Sequence, residues 1–296
     1  MAPLTVNMSG HELETVIARP SLIPSVHPTE RLVGEAPAIV TLRARIRQLV
    51  TFDTLDNPVV PTMLLQGETG TGKGLVAQVI HESGPRAAGP FVEVNCAAIP
   101  ESLLEAELFG FEPGAFTDAR RAKPGLWEAA SGGILFLDEI DALPLTLQGK
   151  LLTDIEAKRV RRLGAVAEHP TDVKLIAATQ ADLRARVAEG QFRADLYHRL
   201  AVVLLEVQPL RERGADVVLL AHHYLQRAAE AYRLPPKHLD SQAEVWLQRY
   251  PWPGNVRELG HLMERVTLLS PDPVIALDML EQLSVPLVQP RPLALP

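Results

Sequence analysis

Two clusters of residues in this sequence have types and spacing suited to chemistry on phosphate. The first is Gly67-Glu68-Thr69-Gly70-Thr71-Gly72-Lys73-Gly74. It follows the apolar run Met63-Leu64-Leu65 and precedes Leu75-Val76-Ala77-Gln78-Val79-Ile80, an order of strand, glycine-rich loop and helix. Glycines let successive backbone N–H groups turn toward one anion, and the positive N-terminal end of the next helix adds to that field. Lys73 would reach the outer phosphates of a nucleoside triphosphate. The general loop motif ends in Ser or Thr, whose hydroxyl binds magnesium. Gly74 stands there in this chain and offers no side-chain ligand. A glycine-rich turn with an incidental lysine is the plain alternative, and the strand and helix on either side weigh against it.

The second cluster is Gly132-Gly133-Ile134-Leu135-Phe136-Leu137-Asp138-Glu139, an apolar strand that ends in two carboxylates. Parallel strands present their C-terminal ends at the ligand crevice of an open sheet. Asp138 would sit near magnesium, directly or through water, with Glu139 beside it to polarise the attacking water. A solvated strand end could carry the same residues. Downstream of a phosphate loop, they read as the second half of one site that takes ATP and Mg2+.

Both clusters need a sheet to hold them. Met63-Leu64-Leu65, Phe91 to Val94, Ile134 to Leu137, Val173 to Ala177 and Val202 to Leu205 are strand candidates, separated mostly by helical patterns. That alternation predicts an α/β fold, a parallel sheet with helices on both faces. After Pro209 the pattern becomes helical. Asp216 to Tyr232 carries Val217, Leu220, Ala221, Tyr224, Leu225 and Ala228 on one side. Ser241 and Glu244 have the spacing of a capping box that would start another helix, and Arg257 to Leu269 reads as a third. The expected organisation is an N-terminal tail or linker over 1–30, a nucleotide-binding core over 31–210, a helical lid over 211–285 and a proline-rich tail over 286–296.

Composition sets outer bounds. The 296 residues are 47% hydrophobic and 22% charged, as in an ordinary soluble domain. A net charge of -7 argues against a chain that works mainly on DNA phosphates. The single cysteine, Cys96, excludes an internal disulfide and fits a reducing cytosol. No apolar run approaches the roughly 18 residues needed to span a bilayer, and the N-terminus lacks the order of a signal peptide. A cytoplasmic protein is expected. His222 and His223 are adjacent on one helix and read as helix residues rather than metal ligands.

Further motifs carry a family resemblance. Glu107-Leu108-Phe109-Gly110, Gly114-Ala115-Phe116-Thr117-Asp118-Ala119, the Gly-Gly-led acidic strand, Phe192 to Leu200 and Trp252 to Leu259 follow one another in a specific order. In that order the chain, from about Leu32 to Leu283, resembles the central AAA+ ATPase domain of sigma-54-dependent bacterial transcription activators. The resemblance implies a P-loop AAA+ core with a small helical lid, nucleotide held between them, and a ring, a hexamer, of identical subunits. It implies that Asn95 pairs with Glu139, that Thr179 is a sensor of the γ-phosphate, and that Val33 and Gly34 lie by the adenine. Arg193 and Arg199 would be arginine fingers reaching a neighbour's nucleotide, and Arg257 would contact phosphate in its own subunit. The family usually has Asn where Gln180 stands and commonly Glu where Gly74 stands, so this chain departs at both.

The implied output is movement of the Gly114–Ala119 loop against sigma-54 RNA polymerase holoenzyme. The family loop has glycine at position 118, and Asp118 adds a side chain and a negative charge there. The segment before the core is too short for a receiver domain and no DNA-binding domain is evident after it, so the sequence is expected to be either a piece of a larger protein or a module that works without its own DNA anchor. These features leave a second reading open: a nucleotide-gated oligomerisation or signalling module that binds ATP without engaging sigma-54.

Overall fold

The structure, a computed structural model, describes residues 4–5, 27–53, 60–117 and 119–284. The expected tail over 286–296 and most of the expected N-terminal tail lie outside the described residues. The chain groups into two units. One holds Leu42–Gly67 and Lys73–Val207 together with the segment up to Leu32; the other holds Val33–Thr41, Glu68–Gly72 and the chain from Gln208 onward.

The first unit is built on a parallel sheet. Its strands are β1 (Met63–Gln66), β2 (Phe91–Asn95), β3 (Ile134–Asp138), β4 (Lys174–Thr179) and β5 (Val203–Glu206). They lie in the order β2-β3-β4-β1-β5, with a two-residue strand, Leu4–Thr5, at the β2 edge. Every pairing in this sheet is parallel. Each of the five strands runs past its apolar stretch to end in Gln66, Asn95, Asp138, Thr179 or Glu206. Polar residues therefore line one edge of the sheet, with Asn95 opposite Asp138 and Gln66 opposite Thr179.

Alternate side chains feed two cores, as the period of two in a strand requires. Leu64, Val94, Leu135, Leu137 and Leu175 face α3 (Glu101–Phe109) and α4 (Leu145–Ala157), where Leu104, Leu108, Leu147, Leu151 and Ile155 pack against them. Met63, Leu65, Phe91, Phe136 and Ile176 face the other way. They meet Ile46 of α1 (Pro37–Val50) and Val76, Val79 and Ile80 of α2 (Lys73–Ser83). Burial on both faces explains why the strands read as continuous apolar runs. Ordered packing begins slightly earlier than the expected tail boundary, because Thr29 is fully buried in a turn at Pro28–Arg31.

A buried ion network closes the opposite edge. Arg86, Asp53 and Lys174 are all at most 2% exposed. Asp53 accepts from Arg86 Nε at 3.1 Å and from Lys174 Nζ at 2.8 Å, and Arg86 also reaches Asp172 at 2.8 Å. Burial pushes the Lys174 ammonium down from its ordinary pKa, and the Asp53 carboxylate opposes that. Removing one partner of such a cluster leaves an uncompensated buried charge. Asp53→Asn is therefore expected to destabilise the fold by about 3–5 kcal/mol, read as a lower urea midpoint at unchanged slope. A loss below about 1 kcal/mol, the range of exposed pairs, would contradict this role.

The second unit is helical: α6 (Asp216–Tyr232), α7 (Ser241–Arg249), α8 (Asn255–Leu269) and α9 (Leu277–Leu283), with a short parallel pair of His238–Leu239 and Val274–Ile275. Val217, Leu220, Ala221 and Leu225 of α6 meet Leu259, Leu262, Met263 and Val266 of α8 around the fully buried Trp252. The Trp252 indole donates to the Leu247 carbonyl at 2.8 Å. The cap of α7 is Asp240 rather than the expected Ser241. The Asp240 carboxylate accepts from the Ala243 N–H at 2.7 Å, and Ser241 becomes the first helical residue. Aspartate caps as well as serine, so two adjacent candidates made the start ambiguous by one residue. The helix α9 had no counterpart in the sequence reading.

Candidate nucleotide site

The phosphate loop lies where its spacing predicts, between β1 and α2. Gly70 and Gly72 have φ of 79° and 102°, conformations that L side chains rarely adopt. The Gly67 N–H donates to the Thr179 carbonyl at 3.2 Å, which fixes the loop's first residue to β4. The Thr71 hydroxyl closes the turn on the Glu68 carbonyl at 2.8 Å. Lys73 begins α2; its buried ammonium donates to the Gly67 carbonyl at 2.7 Å, which keeps the cation at the loop. Gly74 follows within the helix.

Within the second unit, residues that sequence reasoning gave no role grip the loop segment Glu68–Gly72. Arg211 forms a two-pronged ion pair with Glu68 at 2.8 and 2.6 Å. The fully buried Asn255 donates to Glu68 at 3.1 Å and to the Thr69 carbonyl at 3.0 Å. These hydrogen bonds, that of Arg211 foremost, hold the Glu68 carboxyl at a pKa of about 2. Arg213 donates to the Thr71 carbonyl at 3.0 Å. The Arg257 backbone N–H donates to the Gly70 carbonyl at 3.2 Å, while its side chain is exposed. Val33 packs against this unit's core. Gly34 is required by close approach, since a Cβ there would lie 2.4 Å from Asp216 Oδ2. That same carboxylate ties down the N–H groups of Glu35 and Ala36 at 2.6 and 3.0 Å.

The acidic cluster sits at the end of β3. Asp138 closes the strand, and its Oδ1 accepts from the Glu139 N–H at 3.0 Å. Glu139 takes a left-handed conformation, φ 53° and ψ 48°. A non-glycine residue held there stores strain of order 1–3 kcal/mol, a feature that concentrates at functional sites. Thr179 is fully buried, and its hydroxyl donates to Asp141 at 2.6 Å. Asn95 does not pair with Glu139 among the described residues, contrary to expectation. Its carbonyl oxygen accepts from the N–H groups of Ala97 and Ala98 at 2.9 and 3.1 Å, a local turn. Burial, then the charges of Asp138, Asp141 and Glu139, push the neighbouring Cys96 thiol up to about 12, which marks the negative field here. Glu93, on the opposite face of β2 from Cys96, has its carboxyl raised by burial and then by Asp138.

This donor set fits magnesium. The described residues contain no cluster of three or more His, Cys, Asp or Glu side chains built to enclose a metal. Magnesium needs none, because it keeps water and binds one or two carboxylates plus substrate phosphates. Asp138 and Glu139 supply that number.

Of the two arginines, Arg193 is the N-cap of α5 (Ala194–Leu200) and Arg199 lies in its last turn. Arg193 is exposed and held by Asp195 through bonds of 3.1 and 2.7 Å. Arg199 accepts at its carbonyl from the Thr62 hydroxyl. Its Nε is buried without a partner among the described residues, in a cavity also lined by Thr62, Trp127 and Asp154. Burial pushes the Asp154 carboxyl up to about 6. Thr62 precedes β1, whereas the phosphate loop follows it. At about 3.3 Å per residue, roughly 16 Å of strand separates the two ends. The Arg199 backbone therefore sits at the edge of the sheet away from the Lys73 loop.

The Gly114–Ala119 segment turns back on itself, with the Gly114 N–H on the Ala119 carbonyl at 2.8 Å and the Ala119 N–H on the Phe116 carbonyl at 3.0 Å. Phe116 contacts Phe111 edge-on at 4.8 Å yet stays 44% exposed, an outward-facing aromatic at the loop tip. Ala115 lies against Gly164 and Thr117 is exposed. Asp118 lies outside the described residues.

Known proteins resemble this chain in sequence and fold. The Sigma-54 interaction domain family matches residues 32–206, and the AAA+ ATPase lid domain matches 211–286. The response regulator protein PilR of Pseudomonas aeruginosa is 48% identical over 242 residues, 82% of this chain and 53% of PilR. The transcriptional regulator NtrC of Azospirillum brasilense is 44% identical over 250 residues, 84% of this chain and 50% of NtrC. The chain thus spans about half the length of the curated relatives it matches. The crystal structure of NtrX from Brucella abortus in complex with ADP superposes with a TM-score of 0.76 at 36% identity, covering 85% of this chain and 54% of NtrX. The ATP complex of the same protein gives 0.75 at 35% identity, covering 83% and 53%. On its motifs, its fold and these matches, the chain belongs to the family of sigma-54 interaction domains, the AAA+ ATPase modules of sigma-54-dependent transcription regulators.

Proposed function

We propose that this chain hydrolyses ATP within a ring of identical copies, a hexamer, and uses the cycle to remodel sigma-54 RNA polymerase holoenzyme. The observation that carries the reading is the buried Lys73 ammonium at the phosphate loop, on the same sheet edge as Asp138 and Glu139. The N–H groups of Gly67 to Gly74 cradle the phosphates, and Lys73 balances the charge of the outer two. Asp138 and Glu139 would hold magnesium, which would neutralise charge on the phosphate oxygens. Glu139 accepts the proton of the attacking water. Arg199 and Arg193 of a neighbouring copy spread the charge that develops on the γ-phosphoryl group. Val33 and Gly34 border the adenine, Thr179 relays the phosphate's presence through Asp141, and Arg257 adds a contact from the lid, the segment 211–285 that follows the 31–210 core.

The partner contact is the Gly114–Ala119 loop. An exposed aromatic at a turn tip offers apolar area at small entropic cost. The family match covers this loop and favours engagement of sigma-54 over the module that only binds nucleotide. Open-complex formation on a premelted sigma-54 promoter, with ATPase rates recorded in parallel, tests it. Phe116→Ala is expected to keep the ATPase rate within about twofold, since it touches no nucleotide-binding residue, and to reduce open complexes at least tenfold, as loss of an interface aromatic does. Asp118→Gly, which removes one carboxylate per copy, is expected to increase them. ATP turnover with no open complexes from either chain would establish the nucleotide-gated alternative instead.

A further inference from the structure

The one departure of the phosphate loop from its general pattern has a counterpart on the neighbouring strand. Gly74 stands where a Ser or Thr hydroxyl binds magnesium in that pattern. A Cβ built on Gly74 would find Glu93 Oε1 at 3.7 Å and a Phe136 ring carbon at 3.9 Å as its nearest neighbours. These are ordinary contact distances. Crowding does not force glycine here; the missing side chain leaves room in front of the Glu93 carboxylate.

Glu93 is an unusual residue for its place. It lies in the middle of β2, on the face where Phe91 precedes it and Asn95 follows. Its partner across the β2–β3 register is Phe136, and the next pair along is Asn95 with Asp138. The surrounding side chains on this face, Phe91, Ile134 and Phe136, form the core beneath α2. Glu93 is half-buried among them, and no described residue donates a hydrogen bond to its carboxylate. A half-buried carboxylate facing Asp138, with no donor of its own, is unfavourable unless a cation lies on its open side. The open side is the Gly74 position, at the start of the helix that Lys73 begins.

We propose that Glu93 substitutes for the missing loop hydroxyl: through the space beside Gly74 its carboxylate orients the water shell of the magnesium ion that accompanies ATP. The proposal rests on the reading of the chain as a magnesium-dependent ATP binder. Glu93 is a positioning residue, acting on the metal's waters and not on the reacting atoms. Outer-shell partners of bound metals typically carry ten- to hundredfold of the metal's affinity.

The test measures metal and nucleotide separately. Mn2+ is titrated into the purified chain saturated with ADP and followed by its electron paramagnetic resonance signal; ADP affinity is measured by calorimetry in EDTA. Glu93→Gln keeps the side-chain shape and is expected to weaken Mn2+ at least tenfold while leaving ADP affinity in EDTA within twofold. Gly74→Ser restores the hydroxyl in an uncrowded position. In that background Glu93→Gln is expected to cost less than twofold in Mn2+ affinity, a coupling that a merely structural role would not produce. Unchanged Mn2+ affinity in Glu93→Gln, or equal losses with and without Gly74→Ser, would overturn the proposal. Wild-type chain that binds ADP and Mn2+ normally in either case leaves the ATP-binding reading standing; wild-type chain that binds neither overturns both.

Discussion

Glu139→Gln is expected to bind ATP nearly as tightly as the parent chain and to turn it over about 10³-fold more slowly. General base catalysis contributes about 10²–10⁴-fold, and the amide removes it without changing shape. Several structural facts concentrate the effect on the chemical step. The backbone of Glu139 is held in the left-handed region by the chain that follows β3, and its N–H is fixed to Asp138. Neither feature depends on the carboxylate, so the substitution leaves the loop in place. Lys73→Ala is the contrasting change: it removes the cation held at the loop, and both binding and turnover are expected to fall. Phosphate release under saturating ATP gives the rate, and titration with a fluorescent ATP analogue gives the affinity. Equal turnover by wild type and Glu139→Gln would remove Glu139 from the mechanism.

Arg199→Ala is expected to lose at least about 10³-fold in turnover, the lower end of what an arginine finger supplies. The side chain has little structural work that the substitution would disturb. The contact with Thr62 uses the Arg199 carbonyl and survives in alanine, and the guanidinium Nε has no partner among the described residues. Thermal unfolding should therefore shift little while the rate collapses. Arg193 differs, because Asp195 neutralises its guanidinium at 2.7 Å and must release it before it can act across a boundary. Arg193→Ala should accordingly cost less than Arg199→Ala under the same assay. A turnover loss below tenfold for Arg199→Ala would refute its role as a finger.

The sheet was readable because its strands are buried on both faces and stand out as apolar runs. The phosphate loop was readable because only a strand–glycine–helix order makes sense of Gly67 to Lys73. Other features depended on tertiary contact. Asn255 occurs in a stretch with no helical or strand period, and only the fold shows its amide reaching Glu68 and Thr69. Nothing in the local sequence marks Arg211 and Arg213; their partners lie about 140 residues earlier in the chain. The turn that Asn95 makes is local, its carbonyl oxygen taking the next two N–H groups at the strand end, and it leaves the amide N–H donors out of those bonds. The cap of α7 moved by one residue because Asp240 and Ser241 are both good caps. Glu93 read as an ordinary strand residue. Its meaning appears only when β2 is placed under Gly74.

The claim that hydrolysis is completed by a neighbouring copy is tested most directly by mixing. Lys73→Ala lacks its own phosphate contact but keeps Arg199; Arg199→Ala keeps the phosphate loop but lacks the finger. The Arg199 backbone is anchored at the sheet edge away from the loop, so in the proposed ring the two defects would fall on different boundaries of each copy. When the inactive chains are combined at concentrations where sedimentation shows co-assembly, some boundaries pair an intact loop with an intact finger. Phosphate release by the mixture is expected to rise well above the sum of the separate chains, to a sizeable fraction of the wild-type rate. Mixtures that demonstrably co-assemble and hydrolyse no faster than that sum would contradict it.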